Sequence, residues 1–415
     1  MRAGTRSGWW VVVGGSVLLT LQNGLIMSAF GAYLVVITAD TGWAPGVIAI
    51  GYAVLQLGNG FIAPLTGWAC DRVGTRAVAR TGNVITAAGF ALAATTGEAT
   101  QFLAAVVVIA LGVSAAGIMP LTVAVVQAVP ERRTLALGLL PTGIAVGGLA
   151  VPLVALALDA VGWRITFFGV AAVILVVGQL SGSVLPTERA AARVAAAAVA
   201  AADEPAGPLP AEVDHDLRGA LRTSAFWLLV LGHGSALVAI SAVNLHLVPL
   251  LTHDRGLSLA TAAVVMGVLS MAQLVGQVVT GVIGDRIDKR RLAAACMVVQ
   301  TVVLVVLALA PDLPTLLAAS VVHGLAWGLR GPVMTSLRTD YFGLGSFGTI
   351  MGWSMGFVSI GLVVGPLLVS ALEAGSGYPL AFGALAVVTG AGSLAFVVLR
   401  EPRPVRQPVG CGQAR

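Results

Sequence analysis

Predominantly apolar stretches of twenty or more residues recur along this chain, and charges are almost confined to the breaks between them. About 20 apolar residues in a helix cross the hydrocarbon core of a bilayer. Backbone groups find no partner in lipid, so a span is either a helix or part of a closed barrel. These runs are longer than barrel strands and lack their alternation, which leaves helices. Twelve segments fit, near 9–37, 44–68, 78–97, 100–128, 134–158, 163–185, 224–251, 259–283, 291–310, 314–338, 347–372 and 378–399. An all-α membrane protein with twelve transmembrane helices is expected. Arg2 and Arg6 precede the first run as they would in a signal peptide, but the run continues to Ile37, too long for a cleaved leader.

Composition agrees. The chain has 415 residues, 58% hydrophobic and 10% charged, against about 25% charged in a soluble domain. A soluble enzyme would have too little charge to cover its surface. The net charge of +5 is spread over short basic groups, so no nucleic-acid partner is expected. Cys70, Cys296 and Cys411 match no metal or disulfide spacing, and neither metal nor cofactor is expected.

Arginine placement sets the orientation. With both termini in the cytoplasm, twenty of the 23 basic residues fall on the inner side, counting Arg338 at the inner end of the tenth segment. Arg164 and Arg255 lie outside, and Arg330 falls within a span. The expected organisation is a six-helix bundle over 1–185, a cytoplasmic linker over 186–222, a second bundle over 223–400 and a cytoplasmic tail over 401–415. The linker carries an Ala-rich run followed by Pro205, Pro208 and Pro210.

The halves repeat at a constant offset of 214. Gly67, Asp71, Arg72 and Arg76 pair with Gly281, Asp285, Arg286 and Arg290; Gly147 and Pro152 pair with Gly361 and Pro366. Six helices per half make these parallel repeats, pseudo-symmetric about an axis along the membrane normal. This is the arrangement in which two bundles rock around a site near the midplane.

The stretch GWACDRVGTR at 67–76 resembles the G-x-x-x-D-R-x-G-x-R loop of the major facilitator superfamily, with GVIGDRIDKRR at 281–291 as a degenerate second copy. Within that superfamily, GWWVVVGGS, VPERRTLALGLLPTGIAVGG, GWRITFFGV, NLHLVPLLTHDRG and DYFGLGSFGTIMG resemble the monocarboxylate and oxalate/formate branch. The resemblance implies the major facilitator fold, alternating access and a gating role for the two loops. Gly67 permits close helix approach, Asp71 suits a helix N-terminus, and Arg72 and Arg76 can pair with carboxylates or carbonyls. The alternative is a charged turn that only sets topology. Helices 5 and 11 carry Gly143, Gly147 and Gly148 before Pro152, and Gly352, Gly356, Gly361 and Gly365 before Pro366; packing and hinging are both open.

Arg330 is the sharpest signal. A buried arginine costs from about 3 to more than 10 kcal/mol, so it needs a reason. His323, Trp327 and Arg330 share one helix face. A guanidinium there suits a carboxylate, or else it satisfies carbonyls freed by Pro332. Gln22 and Asn23 on helix 1, Tyr52, Gln56 and Asn59 on helix 2, His233, Asn244 and His246 on helix 7, and Gln273 and Gln277 on helix 8 are further cavity candidates. No acidic residue lies well inside a span. The resembled branch usually places a basic residue on helix 8 and often an aspartate nearby or a lysine on helix 11. Here Gln273, Gln277, Ser354 and Ser359 stand instead, so that coupling chemistry does not carry over.

The expected function is a secondary transporter in the inner (plasma) membrane, acting as a monomer and moving a small organic anion by proton symport or anion exchange. The runner-up is export of a hydrophobic or cationic compound, though the buried carboxylate that would mark it is absent. No nucleophile–base pair or ligand cluster suggests an enzyme, and no sizeable loop domain suggests a receptor.

Overall fold

A computed structural model describes residues 3–129, 133–187, 215–283, 286–343 and 347–400. Most of the linker and the tail lie outside the described residues. Sixteen α-helices and no strands occur among the described residues. In the first half these are α1 (Ala3–Gln22), α2 (Phe30–Thr41), α3 (Pro45–Phe61), α4 (Ala63–Val73), α5 (Thr75–Ala94), α6 (Ala99–Ala115), α7 (Ile118–Ala128), α8 (Arg133–Leu139), α9 (Thr142–Gly147) and α10 (Val151–Ser183). The second half has α11 (Leu217–Leu221), α12 (Ser224–Pro249), α13 (Leu259–Ile283), α14 (Lys289–Leu309), α15 (Leu313–Phe342) and α16 (Phe347–Val398). Among the described residues, eight helical stretches are long and apolar enough to cross a membrane.

Several rods are interrupted where the sequence demands it. A π-turn at Asn23–Met27 joins α1 to α2. Gly162 (φ 75°, ψ 170°) breaks α10, and Gly377 (φ 75°, ψ 169°) breaks α16 in the same conformation. Positive φ is a glycine conformation, and it turns the chain without a loop. Trp163 and Tyr378 follow the two breaks, and both are buried. The offset here is 215, one more than the sequence repeat, because the second half carries one extra residue before its break.

The repeat is structural. A Cβ on Gly147 would stand 2.7 Å from the Thr20 carbonyl oxygen, and one on Gly361 would collide with the carbonyl of Gly234. Both partners also differ by 214. These glycines therefore serve close packing of helix 5 on helix 1 and of helix 11 on helix 7. Gly31 lies against the backbone of Leu245, its own repeat mate. Symmetry mates touch only on the axis, so this contact marks the pseudo-twofold.

Contact between the halves is uneven. α2 packs on α12, α3 on α16, and α9 and α10 on α13. Gly148 meets Ser270, and Gly267 meets Pro152. α1, α4, α7 and α8, at the end carrying the chain termini, make no comparable packing with the second half. The molecule is closed at the far end and splayed at the terminus end.

Candidate functional site

Each half is braced at the terminus end by one arginine. Arg76 Nε donates to the Leu185 carbonyl at 2.7 Å, and Arg290 Nη1 donates to the Leu399 carbonyl at 2.6 Å. Both pairs sit 214 apart. A guanidinium on terminal helix carbonyls satisfies orphan acceptors and complements the helix dipole. These two loop arginines thus tie the start of α5 to the end of α10, and the start of α14 to the end of α16, each within its own half. Arg72 is exposed, with its Cζ 4.4 Å from the Trp68 ring centroid, and Arg286 is exposed. A Cβ on Gly67 or Gly281 would meet nothing within 4 Å. The Asp71 side chain and Asp285 lie outside the described residues. A groove of about 940 Å³ between α5 and α10, lined by Arg76, Arg80 and Gln179, is on the flank of the first bundle.

The candidates in the first half are drawn into its packing. Asn23 Nδ2 donates to the Ile144 carbonyl at 2.6 Å and to Ser28 Oγ at 3.0 Å. Gln22 Nε2 donates to the Val113 carbonyl at 3.3 Å. Gln56 is buried, and the Asn59 side chain lies outside the described residues. Asn244 lies near the Tyr52 hydroxyl, across the two halves. On α12, His246 is fully buried; its Nε2 lies 3.0 Å from the Pro366 carbonyl oxygen and 3.3 Å from Ser370 Oγ. That clamps helix 7 to helix 11. Gln273 is half-buried, and its backbone touches Gly324 and Gly328. Gln277 Oε1 is buried without a partner.

The second half holds the unusual chemistry. Arg330 is 0% exposed, and Nε, Nη1 and Nη2 all lack a hydrogen-bond partner. Its Cζ lies 4.8 Å from the Trp327 ring centroid, a cation–π contact along one helix face. His323, one face-repeat away, is equally buried with both ring nitrogens unpartnered. Ser320 Oγ and both side-chain polar atoms of Gln300 on α14 are also buried and unpartnered. Buried polar groups are normally hydrogen-bonded, and the unpartnered ones on α14 and α15 make this pair of helices unusual among the described residues.

Arg338 is not at the inner surface. α15 continues to Phe342, and Arg338 is 1% exposed. Its Nε donates to Ser354 Oγ at 2.9 Å, Nη1 to the Met334 carbonyl at 2.9 Å, and Nη2 to His233 Nδ1 at 3.1 Å. The sequence counted it among topology arginines because it lies close to the charged turn. The aromatic pair Tyr341-Phe342, ahead of the helix-stopping Gly343, was the signal that the helix ran further. Arg330 and Arg338 are eight residues apart, about 12 Å along the axis. The ion pairs among the described residues are Asp40–Arg164, Asp340–Lys289 and Asp288–Arg291, so neither buried arginine has a carboxylate partner.

Two sequence-repeated halves of long apolar helices with buried polar groups between them have the build of a membrane transporter. The Major Facilitator Superfamily model matches residues 16–272 and 229–412, and the chain belongs to that superfamily. It is similar to monocarboxylate transporter 13 of Bos taurus, 28% identical over 94% of this chain and 85% of the relative. Monocarboxylate transporter 13 of Rattus norvegicus is 28% identical over the same shares. Monocarboxylate transporter 11 of Homo sapiens is 27% identical over 87% of this chain and 76% of its own length. The chain is therefore a multi-pass membrane transporter rather than an enzyme.

Proposed function

We propose that this transporter moves a small organic anion, of the monocarboxylate type, across the plasma membrane by alternating access. The observation that carries the reading is the pair of fully buried arginines, Arg330 and Arg338, neither of which has a carboxylate partner among the described residues. An uncompensated guanidinium in a low-dielectric interior is stabilised most by an anion that arrives and leaves. The names of the similar proteins support the same substrate class.

Twelve spans are consistent with the eight apolar stretches. Ala136–Ser183 and Thr349–Val398 are 48 and 50 residues long, enough to cross twice, and break at Gly162 and Gly377. α3 with α4, and the arginine-bearing α15, supply two more. The bundles are 1–185 and 223–400, joined by 186–222, with both termini and the 401–415 tail in the cytoplasm as the arginine bias directs. The splayed end then faces the cytoplasm, and this conformation is inward-open. Gly67–Arg76 and Gly281–Arg290 would close that end in the opposite state, where the space beside Gly67 and Gly281 is taken up by helix contact.

Uptake into proteoliposomes from a panel of mono- and dicarboxylates and lipophilic cations tests the reading. Saturable transport of a carboxylate, lost in Arg330→Ala while the protein still inserts and stays folded, is expected. Transport of cations alone, or undiminished carboxylate transport by Arg330→Ala, would overturn it.

A further inference from the structure

The bond between Arg338 and His233 constrains how charge can enter the site. Arginine has donors only, so His233 Nδ1, 3.1 Å from Nη2, must be the acceptor. The imidazole is therefore neutral while the bond exists. A proton on Nδ1 and the Arg338 contact exclude each other, because two donors would then face one another. His233 is 7% exposed and pairs with no carboxylate among the described residues. The charged groups acting on it are Arg338 and Arg330, both on α15. From α16, Ser354 lies across Arg338, and Val358 packs at Gly234. The later part of α16 brings Phe396 to Gly232, and α14 brings Met297 to within 3.4 Å of a Cβ on Gly392, beside Ser235. None of these neighbours titrates.

We propose that His233 is the proton carrier of this transporter, resting on the anion reading above: an anion that draws Arg338 onto itself frees His233 Nδ1, which takes one proton. The balance closes. One negative charge pairs with the Arg338 guanidinium, one proton from solution binds Nδ1, and the net charge of the site is unchanged. When the anion leaves, Arg338 returns to Nδ1 and expels the proton on the same side. Arg338 lies about 12 Å nearer the splayed end than Arg330, so an anion entering from that end meets the Arg338–His233 pair first. The other intramembrane histidines are placed differently. His246 is held on the Pro366 carbonyl, and His323 has no hydrogen bond to an arginine that an anion could displace.

The test uses the full-length protein in proteoliposomes with labelled pyruvate, lactate and oxalate. Wild type is expected to accumulate the transported anion under an inward acid gradient, about tenfold per pH unit for one proton per anion. His233→Gln keeps an acceptor for Arg338 but cannot take a proton. It should still bind and exchange anion for anion, at a rate the altered pair changes, yet show no accumulation driven by pH. Proton-driven accumulation by His233→Gln overturns the proposal. Wild-type anion transport without any proton movement overturns it while leaving the anion reading intact; no transport of any of the three anions removes both. If the glutamine variant does not fold, a pH-indicator dye on purified wild type decides. Uptake of about one proton per bound anion supports the assignment to a bond broken by the anion, and no uptake overturns it.

Discussion

Replacing Arg330 with methionine separates a ligand-binding arginine from a structural one. Three guanidinium nitrogens are buried without partners, and each unmade bond costs about 1–3 kcal/mol, or about 3–9 kcal/mol together. The Trp327 contact returns about 1–2 kcal/mol of this. Methionine fits a similar volume without the charge, so Arg330→Met should be more stable than wild type by at least about 1 kcal/mol. For a long chain, at about 2 °C per kcal/mol, that is a rise of at least about 2 °C in unfolding temperature. Anion affinity should fall, because two charge-assisted bonds of about 1.5–3 kcal/mol each disappear, a loss of about 100-fold to 10,000-fold. Thermal unfolding in detergent, followed through exposure of buried Cys296, and substrate counterflow in liposomes read the two effects on one preparation. A destabilised variant would refute the reasoning, since it would mean that Arg330 braces the helix around Pro332. So would retained affinity.

Other perturbations address packing and gating. Gly147→Ala and Gly361→Ala each force a Cβ onto the backbone of the partner helix and should cost about 1–3 kcal/mol apiece, seen as similar falls in unfolding temperature for the two symmetry mates. Gly67→Leu has open space in this conformation. It should leave stability unchanged but slow transport by hindering closure of the splayed end, and normal turnover would count against that role. Arg76→Ala removes a carbonyl cap from helix 6 and should cost about 0.3–1 kcal/mol without abolishing substrate binding, as ligand-induced thermal shift would register.

Much of the architecture is legible in the chain because lipid permits so little else. Span lengths, the 214-residue repeat and the arginine bias are one-dimensional signals of a two-dimensional constraint. The glycines before Pro152 and Pro366 left packing and hinging open. The carbonyls of Thr20 and Gly234 lying against Gly147 and Gly361 favour packing, a distinction that depends on which helix lies opposite. The site was less legible. Polar residues such as Asn23 and His246 look alike in sequence whether they face a cavity or another helix, and here both bond to neighbouring backbone.

Arg330 stands out in the sequence alone, since a charge amid apolar residues has no innocent placement in a bilayer. Arg338 does not, since a charge near a helix end is ordinary. Only the tertiary structure extends α15 past it, turns it inward onto His233 and Ser354, and leaves both arginines without a carboxylate partner among the described residues. Hydropathy determines where a chain crosses a membrane, because transfer free energy depends on the local stretch. Which buried charge meets which partner depends on helices brought together from far apart in the chain, and that was decided by the packing.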